Sequence, residues 1–411
     1  MSDTKSNSNP VLRRSLSLPL VCLYGLGNIL GAGVYVLVGK VAGEAGYLAP
    51  VAFLLASVIT GVTAFTFAEP SSRYPLSAGE AVYVQQGIGI KNLSFAVGLL
   101  IILTGIVSAA TIANGFTGYL AVFIELPDWL VIIGLLFSLC LIAIWGIAES
   151  VGAAALFTLL EVGGLILILY VVAPAFVDLP LRQFDFIPDT NTDTWPGIFS
   201  SAFLAFYAFI CFEDMVNVAE EVKNPRRNMP LAILFAVLFA TVLYIAIAIC
   251  ALLVLTPAEL NQSDAPLASV YERATNSNPW VISVVSLFAV VNGALIQIIM
   301  ASRVCYGLSN QNWLPEFFGK VSTKTHTPIN ATVIIAIAII VAALWFPMVT
   351  LANATTYLLL VVFSLVNFSL IRIKQRGGSA ENIFEVPIAV PVTGLVTCVA
   401  FLLFQTASLL F

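Results

Sequence analysis

The stretch AFLAFYAFICFEDMVNVAEEVKNPRRNMP (202–230) sets two adjacent carboxylates, Glu213 and Asp214, inside an apolar run. A carboxylate at membrane depth is costly, and it is kept where it lines a cavity or an ion path. The chemistry it offers there is binding a cation or carrying a proton. Glu161 in LFTLLEVGGLILI is a second such group. It either hydrogen-bonds a neighbouring helix or hands on a proton when water enters. A different chemistry is written in the backbone of GLGNILGAG (25–33), where four of nine residues are glycine. Each glycine in a helix interior costs roughly 0.5–1 kcal/mol relative to alanine. Glycines 25, 27, 31 and 33 therefore allow the chain to leave helical geometry. N–H groups freed around Gly31 to Gly33 would face a carboxylate. Carbonyls near Ile29, and their counterparts near Ile210, would face an ammonium. Gly27 and Gly31, four residues apart, also fit a helix-packing face.

The elements that position these groups are membrane helices. The chain has 411 residues, 60% hydrophobic and 9% charged, with apolar runs of about 20 residues or more, the length that crosses a bilayer. Strand-period alternation is missing, which excludes a β-barrel. Polar breaks divide the chain into eleven spans, near 16–43, 48–70, 93–124, 129–148, 151–177, 195–221, 229–255, 279–309, 328–346, 349–371 and 388–411. DTNTDTWP and TPAELNQSDAP read as loops. With the N-terminus inside, all of the 17 Lys and Arg except Lys40, Arg182 and Arg273 fall on the cytoplasmic side. Residues 1–15 form a cytoplasmic tail and 16–411 one transmembrane domain. The first span is too long for a signal peptide, so the tail is expected to stay attached.

The interrupted spans are the first and the sixth, five apart. That is the offset of two inverted repeats, about 16–177 and 195–371, with 388–411 as an extra helix. Interrupted segments at matching places in two halves point to a transporter's binding site. A zwitterionic α-amino acid satisfies both kinds of freed backbone group at once. Thr104, Ser108, Thr111 and Asn114 make one helical stripe that lines the path or bonds a neighbour. Glu69 reads as a partner of Arg73, and Glu220 and Glu221 as ion-pairing at the inner face.

Other classes find little support. The six cysteines are isolated, the single His326 has no partner in sequence, and no metal or cofactor site follows. No GxxxxGK[ST] motif or large soluble region speaks for ATP-driven transport, and nothing points to nucleic acid. An enzyme would need clustered catalytic groups near one interface. A membrane amino acid sensor would be expected to carry long extensions.

At these residues the sequence resembles the amino acid–polyamine–organocation transporter superfamily, in particular its bacterial basic amino acid/polyamine permease branch. GNILGAGVYVLVG (27–39) resembles that family's first helix, and FYAFICFEDMVNVAEEVKNPRRNMP (206–230) its sixth helix and following loop. FAEPSSRYPLSAGEAVYVQQGIG (67–89) is similar to the loop after helix two, and ASRVCYGLSNQNWLP (301–315) to the end of helix eight. The resemblance implies an all-α fold of 5+5 inverted repeats with interrupted helices 1 and 6. It implies that Ile29, Gly31, Ala32 and Gly33 hold the substrate's amino and carboxyl groups. Phe206 or Tyr207 would form an aromatic lid, Ile210 would offer a carbonyl, and Gln297 would line the pocket. Glu213 matches a carboxylate that senses protons in some relatives, and Glu161 lies near a lysine position of proton-coupled ones. Two departures stand out. Cys211 replaces a usual glycine, and eleven spans replace the usual twelve.

The function expected is secondary transport of amino acids across the cell membrane by symport with protons or by exchange. Two alternatives remain: a polyamine or amine exchanger, and a sensor that binds without transporting.

Overall fold

The computed structural model describes residue 14, residues 16–30, 33–76, 79–145, 150–188, 195–310 and 312–322, residue 325, and residues 327–377 and 383–410. Gly31, Ala32 and His326 lie outside the described residues, as do the side chains of Glu220 and Glu221. The described chain is helical throughout, with one isolated β-bridge between Leu16 and Val222. Its helices are α1 (Leu18–Leu30), α2 (Gly33–Ala45), α3 (Ala49–Arg73), α4 (Gly79–Gly87), α5 (Lys91–Ala121), α6 (Asp128–Trp145) and α7 (Ser150–Val172). They continue with α8 (Leu179–Arg182), α9 (Trp195–Phe206), α10 (Pro225–Val254), α11 (Pro257–Gln262), α12 (Pro266–Thr275) and α13 (Trp280–Asn310). The last are α14 (Glu316–Gly319), α15 (Ile329–Trp345), α16 (Met348–Gln375) and α17 (Ala389–Leu410).

Eight helical stretches among the described residues are long and apolar enough to cross a membrane, and α6 and α15 are shorter apolar helices. The first stretch, Leu18–Arg73, contains two of the sequence spans, so all eleven find a helical counterpart. This is a multi-pass membrane protein. Leu238, Val242, Leu159, Phe137 and Leu403 are exposed on its outer faces, where a soluble protein would carry charge. The segment TPAELNQSDAP is not simply a loop. Thr256 caps α11 in a reciprocal capping box with Glu259, and α12 follows at Pro266. The region after α3 likewise holds the helix α4.

The second interruption is present. The first falls on Gly31 and Ala32, outside the described residues, which are helical up to Leu30 in α1 and again from Gly33 in α2. Helix α9 ends at Phe206, a 3₁₀ turn covers Tyr207–Phe209, and Ile210 is extended. Cys211 then takes φ +81° before a second 3₁₀ stretch, Glu213–Glu221. The position that resembles a family glycine therefore keeps the left-handed backbone that glycine suits, with a cysteine bearing the cost.

The glycines of the first span divide by role, and this corrects the reading that all four loosen the helix. Gly25 and Gly27 lie within α1. A Cβ on Gly25 would overlap the Met215 side chain, and one on Gly27 the Thr158 hydroxyl, so both serve close packing. Gly33 is the first described residue of α2, and a Cβ there would overlap the Ala208 backbone. The start of α2 thus lies in direct contact with the second interruption. Around them α5 runs along α13 and α3 along α10, while α1 is held by α10, α7 and α13.

Two outcomes follow for unfolding in detergent. Gly33→Val should lose about 1–3 kcal/mol by overpacking against Ala208, whereas Gly61→Ala, with nothing within 4 Å, should be neutral or slightly stabilising. Cys211→Val should cost about 1–3 kcal/mol because a β-branched residue is strained at that φ, and Cys211→Gly should be tolerated. Equal stability of the Cys211 pair would contradict the left-handed assignment.

Candidate functional site

A cavity lies where α1 and α2 meet the second interruption. Asn28 and Ile29 of α1 and Gly33 of α2 line it from one side, Tyr207, Ile210 and Cys211 from the other. Ser108 and Ile112 of α5 and Gln297 of α13 complete its polar and apolar walls. Its volume is about 10 Å³, room for roughly one water.

The sequence-derived site residues do not all reach this space. Ile29, Gly33, Tyr207, Ile210 and Gln297 line it. The Phe206 ring packs instead against Phe363 and Phe401, with centroids 6.0 and 6.4 Å away. Of the two lid candidates, Tyr207 is the one at the cavity, its hydroxyl 3.1 Å from both the Ser108 carbonyl and hydroxyl. The α5 stripe divides similarly. Thr104 and Thr111 donate to carbonyls of their own helix, Asn114 bonds α15, and only Ser108 meets the cavity. The Ile29 carbonyl, one of the groups read as an ammonium acceptor, already receives the Tyr244 hydroxyl at 2.7 Å. A carbonyl has a second lone pair, so one acceptor position is left there.

Asn28 is the residue that sequence reasoning passed over. It is buried, it lines the cavity, and neither its amide nitrogen nor its oxygen finds a protein partner. The Gln297 oxygen is also without one. Leaving a buried amide unpaired costs about 1–3 kcal/mol. Two such groups facing one cavity mark a place where a polar ligand recovers that cost. The available signal was a lone asparagine among apolar neighbours beside the helix break.

Below the cavity sit the carboxylates. Glu213 Oε2 accepts from the Cys211 N–H at 3.0 Å, filling a backbone bond that the interrupted helix leaves open. The Gln297 amide donates to Asp214 Oδ2 at 2.9 Å and meets Cys211 Sγ at 3.0 Å. Gln297 therefore ties α13 to the second break and faces the cavity with its remaining oxygen. Glu161 lies apart, between α7 and α13. Its Oε1 accepts from Asn292 Nδ2 at 3.1 Å, and its Oε2 is unpartnered. The Tyr35 hydroxyl donates to the Glu161 backbone carbonyl at 2.6 Å, linking α2 to α7.

Ion pairs join separate segments near the end of the bundle that α3 and α16 share. Glu69 is fully buried and contacts Arg73 at 2.8 Å and Lys374 at 2.7 Å. It also accepts from the Val386 N–H at 2.8 Å, so three separate segments converge on it. Nearby, Lys223 N–H donates to the Leu16 carbonyl at 2.8 Å, joining the segment before α1 to the one after the second break. The described residues hold no group of three or more His, Cys, Asp or Glu arranged to bind a metal.

Comparison with known proteins agrees with this architecture. The amino acid permease family model matches residues 16–411. The chain is 28% identical over 399 residues to the mitochondrial cationic amino acid transporter 3 of Arabidopsis thaliana, covering 88% of this chain and 63% of that one. It is 25% identical to a branched-chain amino acid permease of Bacillus subtilis, over 97% of this chain and 88% of the relative. A methylthioribose transporter of Bacillus subtilis is 27% identical over 96% of this chain and 88% of its own. The chain spans less than two thirds of the length of the plant relative. With the family model covering nearly the whole sequence, the chain belongs to the amino acid permease family.

Proposed function

We propose that this protein is a secondary active transporter that carries α-amino acids across the cell membrane by alternating access. The observation that carries this reading is the buried cavity beside the second helix break. It brings together Asn28, the Gly33 end of α2, Ile210 and Gln297, and there the asparagine amide and the glutamine oxygen lack protein partners. The start of α2 suits a carboxylate and the carbonyls of Ile29 and Ile210 suit an ammonium. Gly31 and Ala32 would contribute backbone groups to the same grip. The small volume of the cavity fits a conformation closed around the site.

On this reading the helices form two inverted repeats, 16–177 and 195–371, with α17 outside them. The basic end, with Arg73, Lys223, Arg226 and Lys374, faces the cytoplasm together with the N-terminus. Coupling runs through Glu213, because its carboxylate bonds the backbone of the break and so links its protonation to the shape of the site. Glu161 is the second candidate, held only by Asn292. Substrate exchange without protons is the other mode compatible with the same cavity. Transport of this kind makes and breaks no covalent bond and calls for no cofactor.

A second reading, an amine or polyamine exchanger, is favoured by one observation. Glu213 and Asp214 are adjacent and buried, and no ion pair engages them among the described residues. A ligand with an ammonium in place of a carboxylate would gain from that charge.

Uptake of a panel of radiolabelled amino acids and amines into proteoliposomes, with and without a pH gradient, decides between these readings. Amino acid uptake is expected. Flux of amines alone would favour the exchanger, and no flux of either would overturn transport. Asn28→Leu should weaken amino acid binding by about tenfold, the worth of roughly one lost hydrogen bond. Unchanged affinity would remove Asn28 from the site. Glu213→Gln should remove the pH dependence of uptake while the protein still folds, and an unaltered pH profile would take coupling away from Glu213.

A further inference from the structure

Glu80 opens α4, the short helix after α3, and it is buried with only 2% of its surface exposed. Its Oε1 has no protein partner, and neither does the hydroxyl of Tyr83 one turn further on, which is also fully buried. A nine-residue helix cannot span a membrane, so this carboxyl is brought inside by packing rather than by its own segment. The packing is specific. A Cβ on Gly79 would overlap the Val216 side chain of the second break, so the start of α4 is pressed against the segment that bears Glu213 and Asp214.

Glu80 is within electrostatic reach of both of those carboxylates. The groups facing it are therefore mostly acidic or neutral: Glu213 and Asp214 from the break, and Tyr83 from its own helix. Basic side chains on the other elements packed against α4 are turned to other tasks. Arg73 of α3 and Lys374 of α16 are bound to Glu69, and Arg376 donates to the Gln86 carbonyl at 3.0 Å. Lys91 of α5 and Arg372 of α16 are exposed. Among the described residues no cation pairs with Glu80, Glu213 or Asp214. Burial pushes the Glu80 carboxyl up to about 8, and the neighbouring Asp214 charge adds to that push.

Three carboxyl groups in one dry space cannot all ionise together, and each proton lost makes the next loss harder. Gln297 joins this cluster to the cavity by its bond to Asp214, and its free oxygen faces the cavity. We propose that Glu80 is the third member of a proton-carrying carboxylate cluster with Glu213 and Asp214, and that it passes the coupled proton between this cluster and water on the basic side of the protein. The proton leaves the Glu80 carboxyl for a water molecule, and the carboxylate left behind is reprotonated from the cluster as the site empties. Loss of that proton leaves a negative charge near Glu213, whose carboxylate bonds the break, and near Asp214, which Gln297 ties to the cavity, so the state of Glu80 reaches the substrate site through both. This inference rests on the transporter reading above and adds a residue to it.

The test uses the full chain in proteoliposomes and compares two fluxes. With one proton coupled, an inward gradient of about one pH unit supports roughly tenfold accumulation of substrate. For Glu80→Gln we expect accumulation to fall to about onefold, while exchange of labelled for unlabelled substrate at equal pH stays within about twofold of the wild type. Glu80→Asp, which keeps a carboxyl, should retain gradient-driven accumulation with a shifted pH profile. Full accumulation in Glu80→Gln would overturn the proposal, and so would equal loss of both fluxes in Glu80→Gln and Glu80→Asp, which marks a structural role. Should Glu80→Gln fail to fold, Glu80→Asp decides: an unshifted pH profile overturns the proposal. A wild type that moves no amino acid or amine would instead defeat the transporter reading itself.

Discussion

Backbone polar groups cannot go unpaired in the middle of a membrane, and this chain interrupts a helix there, between Phe206 and Glu213. The interruption removes intrahelical bonds that lipid cannot replace. The molecule meets the demand locally. The Tyr244 hydroxyl takes the carbonyl of Ile29, Glu213 takes the N–H of Cys211, and the 3₁₀ turn returns Ile210 N–H to the Tyr207 carbonyl. The remaining groups face the cavity, where Asn28 and Gln297 also keep unpaired atoms.

The surrounding structure serves to hold the two breaks in register. Contact between them is possible because Gly33 has no side chain to separate it from Ala208. Three buried tyrosines tie helices together: Tyr244 on Ile29, Tyr35 on Glu161 and Tyr119 on Tyr35, each donating to a backbone carbonyl. These bonds connect α10 to α1, α2 to α7 and α5 to α2. At the basic end Glu69 draws together Arg73, Lys374 and the segment before α17. A buried ion pair contributes little net stability once desolvation is counted, yet breaking it is costly. Its value here is to hold α3, α16 and the segment before α17 in one arrangement.

Much of this was legible in the residues. Span number followed from apolar length, because the hydrophobic thickness of a bilayer leaves few other solutions for runs of about 20 residues. The second break was visible in the carboxylates after Phe209. Finer assignments needed packing. Gly25 and Gly27 look like helix breakers in one dimension, and only the neighbours Met215 and Thr158 show them to be contact points. Phe206 and Tyr207 are adjacent, so composition could not say which ring faces the cavity. The same holds for Ser108 within its stripe. Asn28 and Glu80 escaped notice because a single polar residue acquires meaning from what it fails to bond, and that is a property of three dimensions.

The central claim is that main-chain dipoles at the crossed breaks hold both charged ends of a small zwitterion. Calorimetric titration of the purified protein with a transported amino acid and with its two truncated analogues, one lacking the α-carboxyl and one lacking the α-amino group, tests it most directly. Loss of either group should weaken binding by about 100-fold or more, as expected when a charge-assisted contact of about 3 kcal/mol disappears and its partner stays buried. Binding of both analogues at the affinity of the parent amino acid would contradict the account.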